Sequence, residues 1–193
     1  GKGLGASVTV TEVDPIKAIE AKMDGFEVMR MAEAVRTADT VITVTGCKDI
    51  ITSEHLEVMK DGCIMGNVGH FDNEISKKDL ESMSSSRVRV REHVDEYRMK
   101  DGRRLYLVAE GRLMNLAAGQ GHPAEIMDMS FAVQALSAEY LVRNHRSLGK
   151  RVCTVPPEID GLIAGIKLEA MGVSIDRLSD EQKDYITGWE EGT

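Results

Sequence analysis

Short β-branched runs and helix-spaced apolar residues alternate through the first seventy positions. Val8 to Glu12 reads as a strand, and Asp14 with Pro15 supplies an N-cap and a proline at the first helical position. A helix is therefore expected to about Met23, stopping before Gly25. A short strand at Glu27–Val28 and a short helix from Ala32 to Ala38 follow, then a β-branched run from Val41 to Thr45 bounded by Asp39 and Gly46. Ser53 is positioned to cap a helix through Met59. After the turn at Lys60-Asp61-Gly62, Cys63 to Val68 is apolar enough for a strand buried on both faces. Strand and helix alternating in this way predict a doubly wound α/β sheet.

The pattern then changes in kind. Arg87 to Val90 and Leu105 to Ala109 read as strands around a turn at Lys100-Asp101-Gly102, and Ala124 to Arg143 is helical, with no interior Gly or Pro. Asn144 to Pro157 is a basic linker containing Gly and Pro. Glu158 to Met171 is an amphipathic helix stopped at Gly172, and Ser179 with Gln182 forms a capping box for a last short helix carrying Tyr185 and Trp189. No internal repeat or low-complexity segment interrupts the chain.

Composition narrows the class. The 193 residues, 42% of them hydrophobic, can bury a sizeable core. A run of about 18 apolar residues is missing, and the first residues lack the layout of a signal peptide, so a cytoplasmic protein without a membrane partner is expected. Cys47, Cys63 and Cys153 lie far apart, which argues against a disulfide framework and a zinc site. A net charge of −8 disfavours nucleic acid, and the alternating Arg87, Arg89 and Arg91 look like one solvated face of a strand.

Three predicted strand ends carry residues suited to ligand chemistry, as the carboxyl ends of open α/β sheets do. The first ends in Glu12, the second in Thr43-Val44-Thr45-Gly46, the third in Asn67-Val68-Gly69-His70. Singly, each has an ordinary explanation: a solvated cap, a common turn, a loop histidine. Together they suggest a dinucleotide site. There an acid at the end of the second strand takes both hydroxyls of the adenosine ribose and excludes a 2′-phosphate. That acid normally lies about 20 residues after the glycine phosphate loop, so Glu12 predicts a loop upstream of Gly1. Gly1, Gly3 and Gly5 do not replace it, because they precede a strand instead of following one. A chain without that loop and its strand should show a gap between Val8–Glu12 and Val41–Thr45, and alone should bind dinucleotide poorly. His70 is suited to work on a ribose hydroxyl near neutral pH. Further on, Asn115 offers an amide that matches a carboxamide, and His122 precedes Pro123. His55, His93 and His145 sit among charged residues and are expected at the surface.

The strings Thr11-Glu-Val-Asp-Pro15, Val44-Thr-Gly-Cys-Lys-Asp49, Met59-Lys-Asp-Gly62, Asn67-Val-Gly-His-Phe-Asp72, Ala109-Glu-Gly-Arg-Leu-Met-Asn-Leu116, Gly121-His-Pro123 through Met127, and Ser130-Phe131 resemble those of the adenosylhomocysteinase family. They occur in family order along nearly the whole chain. The resemblance implies a tightly held NAD that oxidises the 3′-hydroxyl of S-adenosyl-L-homocysteine, acidifying the 4′ proton so that L-homocysteine is eliminated. Water then adds, and reduction of the ketone releases adenosine. On this resemblance Glu12 binds the NAD ribose, Thr43, Val44 and Thr45 line the cofactor, Val68, Gly69 and His70 contact its nicotinamide side, and Asn115 holds the carboxamide. His70 is the catalytic candidate. His70 and His122 face substrate and cofactor, and Met127 with Phe131 walls the adenine. Lys17 stands where many relatives have Asn, and Gln120 replaces a methionine of the adenine pocket.

The fold so implied is α/β, a truncated Rossmann-like parallel sheet followed by a hinge helix and a C-terminal helical tail. Residues 1–120 would be an incomplete NAD-binding domain, 121–149 a hinge to a substrate domain, and 150–193 a tail joining subunits of a homotetramer. Two other readings remain at this point. One is part of a different NAD-dependent dehydrogenase; the other is a non-catalytic nucleotide-binding or assembly module.

Overall fold

The computed structural model describes residues 1–188. They form two compact units, Gly1–Gly121 and the part of His122–Thr193 within that range.

In the first unit, β1 (Thr9–Val10) leads into α1 (Pro15–Met23), whose N-cap Asp14 accepts the N–H of Ile16 as its sequence predicts. Gly25, at φ 80°, turns the chain into β2 (Glu27–Val28), which pairs with β1 in parallel. The helix α2 (Met31–Ala34) is shorter than its apolar spacing suggests, and β3 (Thr40–Thr43) stops before Val44. Next come α3 (Ser53–Val58), β4 (Ile64–Asn67) and α4 (Lys77–Met83). The cap of α3 is Thr52, not Ser53. Its box is closed by His55, whose Nδ1 accepts the Thr52 N–H at 3.2 Å. His55 is accordingly buried, which corrects the surface placement expected for it.

A hairpin β5 (Ser84–Arg91) and β6 (Val94–Met99) precedes β7 (Arg104–Val108) and α5 (Met114–Ala117). The sequence pattern missed β6, because Val94-Asp-Glu-Tyr-Arg-Met99 has three charged residues, two of them adjacent, and neither a β-branched run nor a clean alternation. The turn at Lys100-Asp101-Gly102 therefore joins β6 to β7, and β5 turns earlier, at Glu92–His93.

Five strands form the main sheet in the order β3-β4-β7-β6-β5. The first three are parallel, and β6 runs antiparallel to both its neighbours. Strands β1 and β3 belong to different sheets and are not paired, as expected. Met65, Gly66 and Asn67 of β4 are buried on both faces, while Ile64 is exposed. Leu56 of α3 and Leu80 of α4 pack with Met65, Tyr97, Leu105 and Leu107 in one core. Fully burying a side chain of this size contributes about 1.5–3 kcal/mol.

The sheet also buries an acid that the pattern did not single out. Asp95 is 2% exposed, and its carboxylate accepts from Arg87 Nη2 at 2.7 Å and Arg89 Nε at 3.1 Å. The arginine stripe is thus not simply a solvated face. Two of its members neutralise a buried charge, and Arg89 also reaches Glu110 at 3.0 Å.

In the second unit, α6 (Ala124–Asn144) packs on α7 (Pro157–Ala170), with Lys167 Nζ 3.2 Å from Asp128 Oδ2. Gly172, at φ 68°, ends this pair. The capping box of α8 (Asp180–Thr187) forms as predicted, with Ser179 and Gln182 bonding reciprocally. Tyr185 is exposed on α8, and Trp189 lies outside the described residues.

Candidate functional site

The parallel strands β3, β4 and β7 end on the same edge of the sheet, so the loops that leave them converge there. Thr43, at the end of β3, is buried, and Val44 and Thr45 emerge into solvent. Beside them, Val68 N–H donates to the Thr43 carbonyl at 2.8 Å, carrying the parallel pairing one residue beyond the strands.

From β4 the chain passes through half-buried Val68 and Gly69 to exposed His70. The His70 ring meets Phe71 edge-on, with centroids 4.2 Å apart. Phe71 has a φ of 42°, a left-handed conformation uncommon for a bulky residue. After β7, Ala109, Glu110 and Gly111 are all left-handed, at φ 51°, 58° and 79°. Each non-glycine in that region costs about 1–2 kcal/mol. The turn is held by Ala109 N–H donating to His93 O at 2.7 Å and by the Arg89–Glu110 pair. It delivers the chain to α5 and to Asn115, whose Oδ1 is buried without a hydrogen-bond partner.

At β1, Glu12 is exposed at the strand end. Its Oε1 accepts from Val13 N–H at 2.7 Å and Asp14 N–H at 3.1 Å. Donation from Asp14 and then Val13 holds its carboxyl below the usual carboxylate range. Oε2 makes no hydrogen bond among the described residues.

The first unit therefore gathers Thr43, Val44, Thr45, Val68, Gly69, His70 and Asn115 along one sheet edge, with Glu12 on the separate two-stranded sheet. His122, Met127 and Phe131 lie in the second unit. His122 is exposed just before the Pro123 cap, and Met127 and Phe131 are four residues apart on one face of α6. Lys17 is exposed on α1, and Gln120 is exposed just before the end of the first unit.

Residues 1–121 match the model of the NAD-binding domain of S-adenosyl-L-homocysteine hydrolase. The chain belongs to the S-adenosyl-L-homocysteine hydrolase family. Over 192 residues it is 57% identical to the adenosylhomocysteinases of Aquifex aeolicus and Pyrococcus abyssi, covering 100% of the chain and 46% of each relative. It is 55% identical to the S-inosyl-L-homocysteine hydrolase of Methanocaldococcus jannaschii, with the same coverage. The chain thus spans about half the length of the curated relatives it matches.

The cofactor of this family's domain is NAD, and the site can be tested against it. A buried carboxamide oxygen at Asn115 that lacks a donor fits an amide-bearing ring. A charged carboxylate with one free oxygen at Glu12 fits vicinal hydroxyls. These acceptors suit NAD at both ends, the carboxamide N–H at one and the ribose hydroxyls at the other. Among the described residues no group of three or more His, Cys, Asp or Glu could hold a metal ion, and no helix is long and apolar enough to cross a membrane.

Two buried residues tie the site together: Asn67, which the sequence offers only as part of its third strand end, and Glu74, which it does not single out. Asn67 is 0% exposed and uses both ends of its amide to join the loop after β4 to the turn after β7. Glu74 is also 0% exposed and accepts from Thr45 N–H at 3.2 Å and Gly46 N–H at 2.6 Å. Burial opposes ionisation of Glu74. The Thr45 N–H, the Thr43 hydroxyl and the Gly46 N–H outweigh it, holding the carboxyl below the usual range. A polar residue closing an apolar strand was a usable sign for Asn67. Glu74 carries no local sign that separates it from the other acids.

Proposed function

We propose that this chain is the cofactor-holding part of an enzyme that reversibly hydrolyses S-adenosyl-L-homocysteine to adenosine and L-homocysteine. The unpartnered Oδ1 of Asn115 carries this reading, since a buried acceptor without a donor is costly unless a ligand supplies one. When bound, NAD supplies a hydride acceptor for the 3′ carbon of the substrate ribose.

Glu12 orients the adenosine ribose, Thr43, Val44 and Thr45 line the dinucleotide, and Val68 and Gly69 bring backbone close to the nicotinamide. Asn115 accepts from the carboxamide. His70 moves a proton at a ribose oxygen, His122 faces substrate and cofactor, and Met127 with Phe131 walls the base. Residues 121–149 would act as the hinge to a substrate domain and 150–193 as a subunit contact in a homotetramer. The exposed Tyr185 supports the latter, since a large exposed aromatic favours a docking surface. The expected compartment is the cytoplasm.

The test is to join this chain to the portion of the Aquifex aeolicus relative outside the match, then assay hydrolysis of S-adenosyl- and S-inosyl-L-homocysteine with bound NAD. Turnover of the adenosyl substrate is expected. Turnover of the inosyl substrate alone would move the assignment to the activity named for the Methanocaldococcus jannaschii relative. Turnover of neither would refute it.

A further inference from the structure

Three cofactor loops that lie far apart in sequence meet at two buried side chains, neither of which reaches the surface where a ligand would sit. The amide of Asn67 donates to the carbonyl of Phe71 and, at 2.9 Å, to that of Gly111. Its Oδ1 accepts from Gly69 N–H at 2.8 Å and lies 3.5 Å from Thr43 Oγ1. Both amide hydrogens and the oxygen are committed, so the side chain cannot turn over without breaking its bonds to the loop after β4 and to the turn after β7. Glu74 closes the arrangement from below. Its carboxylate holds Thr45 and Gly46 by their N–H groups, and it packs so tightly under Gly69 that a Cβ there would lie 2.6 Å from Glu74 Cδ.

This lock spans one end of the site only. Every loop it holds belongs to the five-stranded sheet: the β3 end, the β4 end, and the left-handed turn that leads to Asn115. Glu12 follows β1 of the other sheet, and among the described residues it accepts hydrogen bonds from Val13 and Asp14 only.

We infer that Asn67, supported by Glu74, is a positioning residue for the nicotinamide half of the cofactor and not for its adenosine half. The inference rests on the NAD reading above. It predicts an asymmetry that general destabilisation would not produce, because ADP-ribose lacks the nicotinamide and NAD has it. Asn67→Asp preserves shape but replaces two donors by an acceptor facing two carbonyls, so the loops must part.

The experiment is calorimetric titration of NAD and of ADP-ribose into the chain joined to the Aquifex aeolicus portion. Asn67→Asp should weaken NAD by about tenfold or more, the consequence of about one lost hydrogen bond to a displaced group, while ADP-ribose changes by no more than about twofold. Glu74→Gln, which keeps shape and removes charge, should show the same asymmetry and serves if the first variant does not fold. In the unsubstituted protein the Gly46 and Gly69 amides should exchange slowly before any ligand is added. Equal weakening of both ligands, no weakening of NAD, or rapid exchange at these amides would overturn the inference. An unsubstituted protein that binds neither ligand would instead overturn the NAD reading beneath it.

Discussion

Replacing Gly69 by alanine should damage this protein far more than the same change at Gly66, although a new Cβ collides with a side-chain terminus in both places. At Gly66 the obstacle is Met114 Sδ, the end of a flexible thioether that can change rotamer. Such overpacking near a soft side chain costs about 1 kcal/mol. At Gly69 the Cβ would overlap Glu74 Oε1 and lie 2.8 Å from Oε2. Glu74 is 0% exposed and held by the N–H groups of Thr45 and Gly46, so it can yield only by giving up those bonds. Hydrogen bonds to a charged group contribute about 1.5–3 kcal/mol each. Allowing for partial relaxation, Gly69→Ala should cost about 2–4 kcal/mol. With a urea m-value of about 2 kcal/mol per molar, the midpoint should fall by about 1–2 M. Urea titration of both variants followed by circular dichroism makes the comparison. Adding Glu74→Ala to Gly69→Ala removes the obstacle, so the double variant should be less destabilised than the sum of the singles. A Gly69→Ala midpoint equal to that of Gly66→Ala, or strict additivity in the double variant, would refute the reasoning.

Asp95→Asn should cost about 1–3 kcal/mol, between exposed and fully buried ion pairs, because the two arginines can rehydrate and the carboxylate cannot. Burial opposes ionisation of Asp95, yet Arg87 and then Arg89 hold its carboxyl below the ordinary 3.8. Its stabilisation is therefore complete above that value and lost as pH falls through the folded-state one; acid unfolding of the Asn variant should show a shallower loss there. Burial first, then the Asp39 charge, pushes the Cys63 thiol up to about 11, so iodoacetamide at pH 8 should label exposed Cys47 and Cys153 and spare Cys63, as peptide mass mapping would reveal. The chain joined to the Aquifex aeolicus portion should bind NAD more tightly than NADP, with Glu12→Ala narrowing the gap by about tenfold; equal affinities before substitution would remove Glu12 from the ribose site. His70→Ala should lower turnover by about 10²–10⁴-fold while leaving NAD binding nearly intact, and a variant with near-normal turnover would return His70 to an ordinary loop position.

Local chemistry made several elements legible without any fold. Asp14-Pro15, the Ser179–Gln182 box and Gly172 act within one or two turns of chain, so caps and stops were readable from neighbours alone. Strand-end polar residues were readable for the same reason, as they sit where an apolar run meets a turn; Glu12, Thr43 and His70 all stand there. What failed locally was whatever depends on a distant partner. The strand β6 is half charged in sequence and is a strand because β5 and β7 flank it. Asp95 is buried only because Arg87 and Arg89 reach it across that pairing.

Sequence by itself determined the alternation of elements, the caps, and the residue types offered at the sheet edge, since each follows from intrinsic propensity and near-neighbour hydrogen bonding. Tertiary structure decided which of those residues are held and by what. Asn67 connects groups up to 44 positions away and Glu74 groups up to 29. A buried amide or carboxylate is tolerable only where the fold delivers such partners, and no nearest-neighbour rule contains them.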